Sequence, residues 1–245
     1  MNMTFISLLI ITLITYILTH FFLISKEKVT QYKKIHEHFI LPYVNDVLLF
    51  IESETQDVVG DKAMVEVNSD KIIKQIQKKA SYGNLKLVHA LYRYKNTFSY
   101  FVGKGEAKSL PTYEVFYIYL QYAKDHLQKN KHTDKLLLER IGKKQKLYGI
   151  AFVLTTILGK DEALKILSHK RLWAQSFLDK LSTELLEDLM DNYNHAKMDE
   201  HKLLTFLSIV KGDLFEIKES HYFIEIKGYI DEAIMTVKDR WVTSA

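Results

Sequence analysis

The N-terminal region contains the stretch FISLLIITLITYILTHFFLI at residues 5–24, twenty consecutive residues without a charged side chain. An α-helix rises about 1.5 Å per residue, so a helix of this length matches the hydrocarbon thickness of a bilayer, about 30 Å. Its backbone hydrogen bonds close within the segment, which lets the helix cross lipid without partners. The sequence therefore predicts one transmembrane helix within residues 1–25, which contacts membrane lipid through residues 5–24.

A cleaved signal peptide is the alternative for the same stretch, but its hallmarks are missing. It requires a basic n-region, an apolar core of about 7–15 residues and a small-residue cleavage site. Residues 1–4 carry no charged side chain, and the uncharged run is longer than such a core. Four lysines follow the stretch between residues 26 and 34, while no basic residue precedes it. The positive-inside rule then predicts an external N-terminus and a cytoplasmic C-terminal domain at the cell (inner) membrane.

The rest of the chain has the composition of a helical domain. It contains only two prolines and nine glycines in 245 residues, which favours long helices over many strands and turns. We predict an all-α fold: a transmembrane anchor in residues 1–25, a membrane-proximal helix or stalk in residues 26–56, and a helical cytosolic domain in residues 57–245. Pro42 should end or kink the stalk helix near Leu41. A minor strand near 58–67 or 150–158 stays open, because periodicity does not separate a short buried strand from a helix.

Charge is distributed unevenly along the chain, whose formal net charge is +4. Residues 71–148 hold seventeen Lys and Arg against five Asp and Glu, whereas the segments before and after are both net negative. A concentration of cations attracts acidic protein, anionic lipid or nucleic acid. The candidate anion-binding or partner-binding residues of this segment are Lys74, Lys78, Lys79, Arg93, Lys95, Lys104 and Lys108.

The same basic segment contains nine of the fifteen tyrosines. Rings interleaved with cations suit a surface on which nucleic-acid bases stack while Lys and Arg neutralise phosphates. Alternatively most of these rings belong to the core, since residues 115–123 are apolar or aromatic nearly all round and predict a central buried helix. No RRM, KH or zinc-finger pattern supports the nucleic-acid interpretation, so the anionic leaflet or an acidic protein is the preferred partner.

Motifs for catalysis or cofactor binding are weak. The glycine-containing segment 103–109 lacks the G-x-x-x-x-G-K-[ST] spacing of a phosphate loop, and the chain has no cysteine. Asp188, Asp191 and His195 share one helix face with Glu184, and these three are weak candidates for metal ligands. A solvated polar helix face explains the same residues. We therefore predict no cofactor, and a non-enzymatic role is favoured.

Three functions remain, in decreasing order of support. The first is a membrane-anchored helical interaction or scaffold protein that recruits a protein partner at the inner face of the membrane. The second is a membrane-tethered nucleic-acid-binding protein that uses the basic, tyrosine-rich segment 71–148. The third is a metal-dependent enzyme that uses the acidic and histidine-containing face of residues 184–201.

Overall fold

The residues described in the computed structural model are 3–59, 67–100, 109–129, 133–194, 199–215 and 221–242. They form helices and no β-strand, which confirms the predicted all-α class. The segment 150–158, for which a strand stayed open, is part of a long α-helix. Residues 58 and 59 are helical as well, while residues 60–66 lie outside the described residues.

The chain divides into two compact units, residues 1–42 and residues 43–245. The first unit contains α1 (Met3–Ile35) and a π-helical turn (His36–Ile40), and α2 (Leu41–Val59) begins at the boundary. The remaining α-helices described for the second unit are α3 (Ser69–Lys78), α4 (Leu85–Tyr100), α5 (Ser109–Gln128), α6 (Lys135–Leu158), α7 (Lys160–Leu167), α8 (Gln175–Leu178), α9 (Thr183–Asn194), α10 (Glu200–Phe215) and α11 (His221–Val242). Short 3-10 turns at Ala80–Tyr82 and Lys170–Trp173 complete the described helices.

Helix α1 contains the stretch predicted to be the anchor. From residue 12 onward it exposes large apolar side chains, among them Leu13, Phe21 and Phe22. Within the described residues, no helix combines the length and the hydropathy that crossing a membrane requires. The side chains of residues 5–11 lie outside the described residues.

The predicted disruption at Pro42 takes the form of the π-helical turn rather than a helix end. Proline has no backbone N–H and cannot bond the carbonyl four residues earlier. Just before it, the backbone N–H of Leu41 bonds the carbonyl of His36, five residues earlier, which is the wider spacing of a π-helical turn. Helical backbone continues after this turn into α2.

Helices α5 and α6 pack along each other and form the centre of the second unit. Residues 111–120 of α5 and residues 147–155 of α6 are all buried, which confirms the central buried helix predicted from residues 115–123. Helix α4 packs on α5, α7 and α9 pack on α6, and α10 pairs with α11. Each outer helix buries one apolar face, as expected for elements that surround a core.

Helix α2 is joined to this centre through a tyrosine. The Tyr148 hydroxyl, on α6, donates to the carbonyl oxygen of Val47 at 2.5 Å and accepts the backbone N–H of Ile51 at 3.2 Å. Those two groups are four residues apart and belong to the same turn of α2. The hydroxyl thus bridges a turn of α2, and Phe116 packs edge-on against Tyr148, with ring centroids 5.5 Å apart.

Two glycines of this region are required by geometry. Gly159, between α6 and α7, has φ 91° and ψ 169°, a conformation that is open essentially to glycine alone. Gly149 lies where α6 meets its neighbours, and a Cβ there would stand 3.1 Å from both Leu186 Cδ1 and Tyr117 Cε2. The close approach of α9 and α5 to α6 therefore depends on the absence of a side chain at residue 149.

Candidate interaction surface

Helix α3 presents two of the predicted cations to solvent. Its first turn is capped by Asn68, whose side-chain oxygen accepts the backbone N–H of Lys71 at 2.9 Å. Its apolar face, Ile72, Ile73 and Ile76, is buried. Lys74 and Lys78 lie one turn apart on the exposed face. The amphipathic pattern of α3 is enough to place both ammonium groups in water.

Helix α4 exposes an apolar stripe as well as burying one. Leu87, Ala90, Leu91 and Tyr94 form its buried face. On the other side Leu85, Val88 and Tyr92 are 69%, 39% and 66% exposed, and we refer to these three residues as the α4 stripe. At 3.6 residues per turn they fall within about 60° of one another around the helix. A helix so placed is unusual, because one apolar face normally suffices to hold it on a core.

Cations flank the α4 stripe on both sides. By the same helical spacing, Lys95 lies next to Val88 and Lys86 lies on the opposite side of the stripe. Both are exposed, and Lys86 Nζ also reaches Glu187 of α9 at 3.4 Å. Helix α3, with Lys74 and Lys78, packs against α4. The surface of α4 is therefore apolar in one strip with a lysine on either side, and the neighbouring helix α3 exposes two further lysines.

Arg93, another predicted binding residue, has a structural contact instead. Its Nε donates to Glu114 Oε2 at 3.1 Å, and its Nη2 forms a second, shorter bond to Oε1 of the same carboxylate. Asn194 Nδ2 donates to that carboxylate as well, at 2.8 Å. The Glu114 side chain is only 4% exposed, so the guanidinium neutralises a buried charge. The carboxylate itself links α5 to α4 and α9.

The other predicted cations fall into two groups. Lys79 is half-buried, with its Nζ 5.6 Å from the centre of the Tyr43 ring, a cation–π geometry. Lys104 and Lys108 lie outside the described residues. Among the described candidates, exposure is therefore concentrated at Lys74, Lys78 and Lys95.

The tyrosines of the basic segment belong mainly to the core. The buried ones are Tyr94, Tyr113, Tyr117, Tyr119 and Tyr148. Several use their hydroxyl internally: that of Tyr94 donates to Asp70 at 2.6 Å and that of Tyr113 to Glu54 at 3.2 Å. Burial, reinforced by the hydrogen bond to Asp70, raises the pKa of Tyr94 far above its ordinary value. Within the described part of this segment Tyr92 is the exposed ring, and Tyr82 and Tyr122 are half-buried, which leaves little aromatic surface for stacked bases.

The acidic face of α9 does not assemble a metal site within the described residues. Asp188 is exposed and its carboxylate pairs with Lys202 Nζ at 2.6 Å, while Asp191 is exposed. His195 lies outside the described residues. No group of three or more His, Cys, Asp or Glu side chains in the described ranges could hold a metal ion. The metal hypothesis therefore has no ligand cluster to support it there.

A buried lysine that sequence reasoning missed lies at the junction of α2 and α6. The Lys144 side chain is 5% exposed, forms an ion pair with Glu52, and places its Nζ 4.0 Å from the centre of the Trp173 ring. Burial lowers the pKa of Lys144 to about 8, against the opposite effect of Glu52. A signal was present in the sequence, because residue 144 falls at helical spacing from the buried Ile141 and Tyr148.

No protein-family model matches this chain, and neither a curated protein nor a solved structure shows significant similarity to it.

Proposed function

We propose that the protein is a membrane-anchored helical interaction protein that recruits an acidic protein partner at the inner face of the membrane. The anchor is supported by the twenty uncharged residues at 5–24 and by the apolar side chains that α1 exposes from residue 12 onward. Exposed leucine and phenylalanine side chains along one helix gain free energy in lipid, about 25 cal/mol for each Å² of apolar surface removed from water. The lysines between residues 26 and 34 support a cytoplasmic C-terminal domain.

The exposure of the α4 stripe is the main support for the recruitment of a partner. Apolar side chains at i, i+3 and i+7 are the spacing by which one amphipathic helix recognises another. Lys86 and Lys95 on either side favour a partner segment that carries carboxylates around its own apolar face. An acidic amphipathic segment matches both the apolar stripe and the lysines beside it. Nucleic acid would instead need exposed aromatic rings on which bases stack, and most tyrosines of this segment are buried in the core.

The anchor can be tested by fractionation of cells that produce the full-length protein. The protein should resist extraction from membranes by alkaline carbonate, and deletion of residues 2–25 should release it. A tag on the C-terminus should be protected from protease in intact cells. Extraction of the full-length protein by carbonate alone would contradict the anchor.

The recruitment can be tested by site-specific photocrosslinking in native cells, with a benzophenone side chain at residue 88. We expect one predominant crosslinked protein, with the crosslinked peptide rich in Asp and Glu. The purified partner should then bind the full-length protein in nanodiscs with an affinity that falls as salt rises.

Two matched variants separate the α4 stripe from general surface effects. Leu85→Asp should weaken partner binding about tenfold or more, because it places a carboxylate in the apolar contact opposite an acidic partner. Leu136→Asp makes the same change at a leucine that is 72% exposed at the start of α6, and it should leave affinity unchanged. Equal effects of the two variants, or a crosslink to nucleic acid, would contradict the proposal.

A further inference from the structure

A second basic site lies away from the α4 stripe, in a cavity of about 340 Å³. Its walls come from α5, α6, α8 and the first residue of α9. The volume falls in the range of small-molecule sites, about 300–1,000 Å³. Its polar wall includes Lys124, Lys143, Lys146, Gln145 and Thr183. We propose that this cavity binds a phosphate-type oxyanion, either a free phosphate compound or a lipid headgroup.

The lysines of the cavity are the first argument. Lys124 and Lys143 are half-buried, and neither makes an ion pair or a hydrogen bond with another described residue. Neither lysine has a carboxylate partner among the described residues, so an incoming anion would supply the missing counter-charge. Two acidic residues, Glu139 and Asp179, also line the cavity but are exposed. Lys124, Lys143 and Lys146 outnumber these two carboxylates, so the wall carries a net positive charge.

The remaining donors of the wall fit the same chemistry. Lys146 Nζ is held in place by a 2.6 Å bond to the carbonyl oxygen of Leu178, so its position is fixed before any ligand arrives. Gln145, 3% exposed, also lines the cavity, although its side chain lies against the Tyr117 hydroxyl. Thr183 begins α9, whose N-terminus carries a partial positive charge that favours anions. These groups converge with Lys124 and Lys143 on one cavity.

A substitution at Gly142 would change the position of Lys124 in the cavity. A Cβ at this position would stand 3.2 Å from Lys124 Nζ and 3.6 Å from its Cε. Nothing else lies within 4 Å of that Cβ except Lys124 Cδ, at 4.0 Å. Gly142→Ala would thus displace the end of Lys124 without changing any charge, and it replaces a residue that disfavours helix by one that favours it.

The test is calorimetric titration of the detergent-solubilised full-length protein with inorganic pyrophosphate. Wild type should show saturable binding. Lys124→Gln/Lys143→Gln should weaken it about tenfold or more, since two charge-assisted contacts to phosphate are lost. The matched control Lys135→Gln/Lys238→Gln removes the same charge from exposed positions on α6 and α11 and should bind as wild type does. Gly142→Ala, whose fold is not at risk, should weaken binding about threefold or more by moving one of those contacts.

Two further titrations distinguish the source of the oxyanion. Glycerol 3-phosphate and water-soluble dihexanoyl phosphatidic acid carry the same phosphomonoester. Equal affinity would assign the site to a free phosphate compound, and tighter binding of the phosphatidic acid would assign it to a lipid headgroup. Absence of saturable binding to all three probes would overturn the proposal, as would equal affinity of wild type and Lys124→Gln/Lys143→Gln. Neither result bears on the α4 stripe, which none of these variants changes.

Discussion

Replacement of Arg93 by methionine should destabilise the folded protein strongly, because it removes the cation from a buried carboxylate. Methionine retains much of the aliphatic packing of arginine, so the change isolates the loss of charge. Glu114, 4% exposed, would keep only the 2.8 Å bond from Asn194 among the contacts described above. The outcome therefore measures the free energy of a carboxylate held away from water without its counterion.

Removal of one partner from a buried ion pair costs about 3–5 kcal/mol. Because Arg93 is partly exposed and water can enter its place, we expect the lower end, about 3 kcal/mol. For a domain of this size that corresponds to a melting temperature about 6–12 °C lower.

The assay is thermal and urea unfolding of the full-length protein in detergent, followed by the fluorescence of its two tryptophans. Glu114→Gln in the Arg93→Met background should recover at least half of the loss, since no charge then remains buried. A loss below about 1 kcal/mol, the range of exposed ion pairs, would refute the reasoning, as would a failure of Glu114→Gln to recover stability.

Three further predictions concern the core. Tyr148→Phe should lower the free energy of unfolding by about 1–3 kcal/mol, because two backbone groups of α2 lose their bridge. The pKa of Lys144 is lowered to about 8, below that of an unfolded lysine, so the unfolded chain binds more protons between these values and stability rises with pH. From pH 8 to 9.5 this rise should exceed that of Lys144→Met by about 1–2 kcal/mol. Gly149→Ala should cost about 1–2 kcal/mol through overlap with Leu186 and Tyr117, after allowance for the higher helix propensity of alanine.

Each of these has a matched control measured by the same unfolding assay. Tyr92→Phe, at an exposed ring, should change stability by less than about 0.5 kcal/mol, and an equal loss at Tyr148 and Tyr92 would contradict the bridge. Parallel pH profiles for wild type and Lys144→Met would contradict the lowered pKa. Gly142→Ala lies in the same helix as Gly149→Ala but should stabilise by up to about 1 kcal/mol. A loss at residue 142 as large as at residue 149 would contradict the packing argument.

The sequence was sufficient for the class of fold and for the faces of its amphipathic helices. Scarce proline and glycine indicated long helices, and the apolar run at residues 115–123 indicated a central buried helix. These features are local, because helix propensity and the 3.6-residue period act over a few residues. The exposure of Lys74 and Lys78 follows from the same pattern.

The roles of individual charged residues could not be read in the same way. Arg93 and Glu114 lie on different helices, so the bond between them depends on how α4 packs on α5. Lys124 and Lys143 meet in one cavity only because α5 and α6 pair. Pro42 indicated a disruption of the helix, but whether it became a kink or a π-helical turn depended on the backbone bond that Leu41 could make. Such contacts join residues whose separation in sequence carries no periodic signal.

The bridge made by Tyr148 to α2 has a consequence for how this protein can vary in evolution. Its hydroxyl bonds backbone groups, and every residue except proline supplies the N–H and carbonyl that the bridge needs. Substitution of Val47 or Ile51 by another apolar residue therefore leaves the hydrogen bonds possible. Correlated substitution between position 148 and positions 47 or 51 should be weak, even though the Tyr148 hydroxyl hydrogen-bonds both residues. We therefore expect tyrosine to be conserved at position 148 among homologous chains, without covariation with positions 47 and 51.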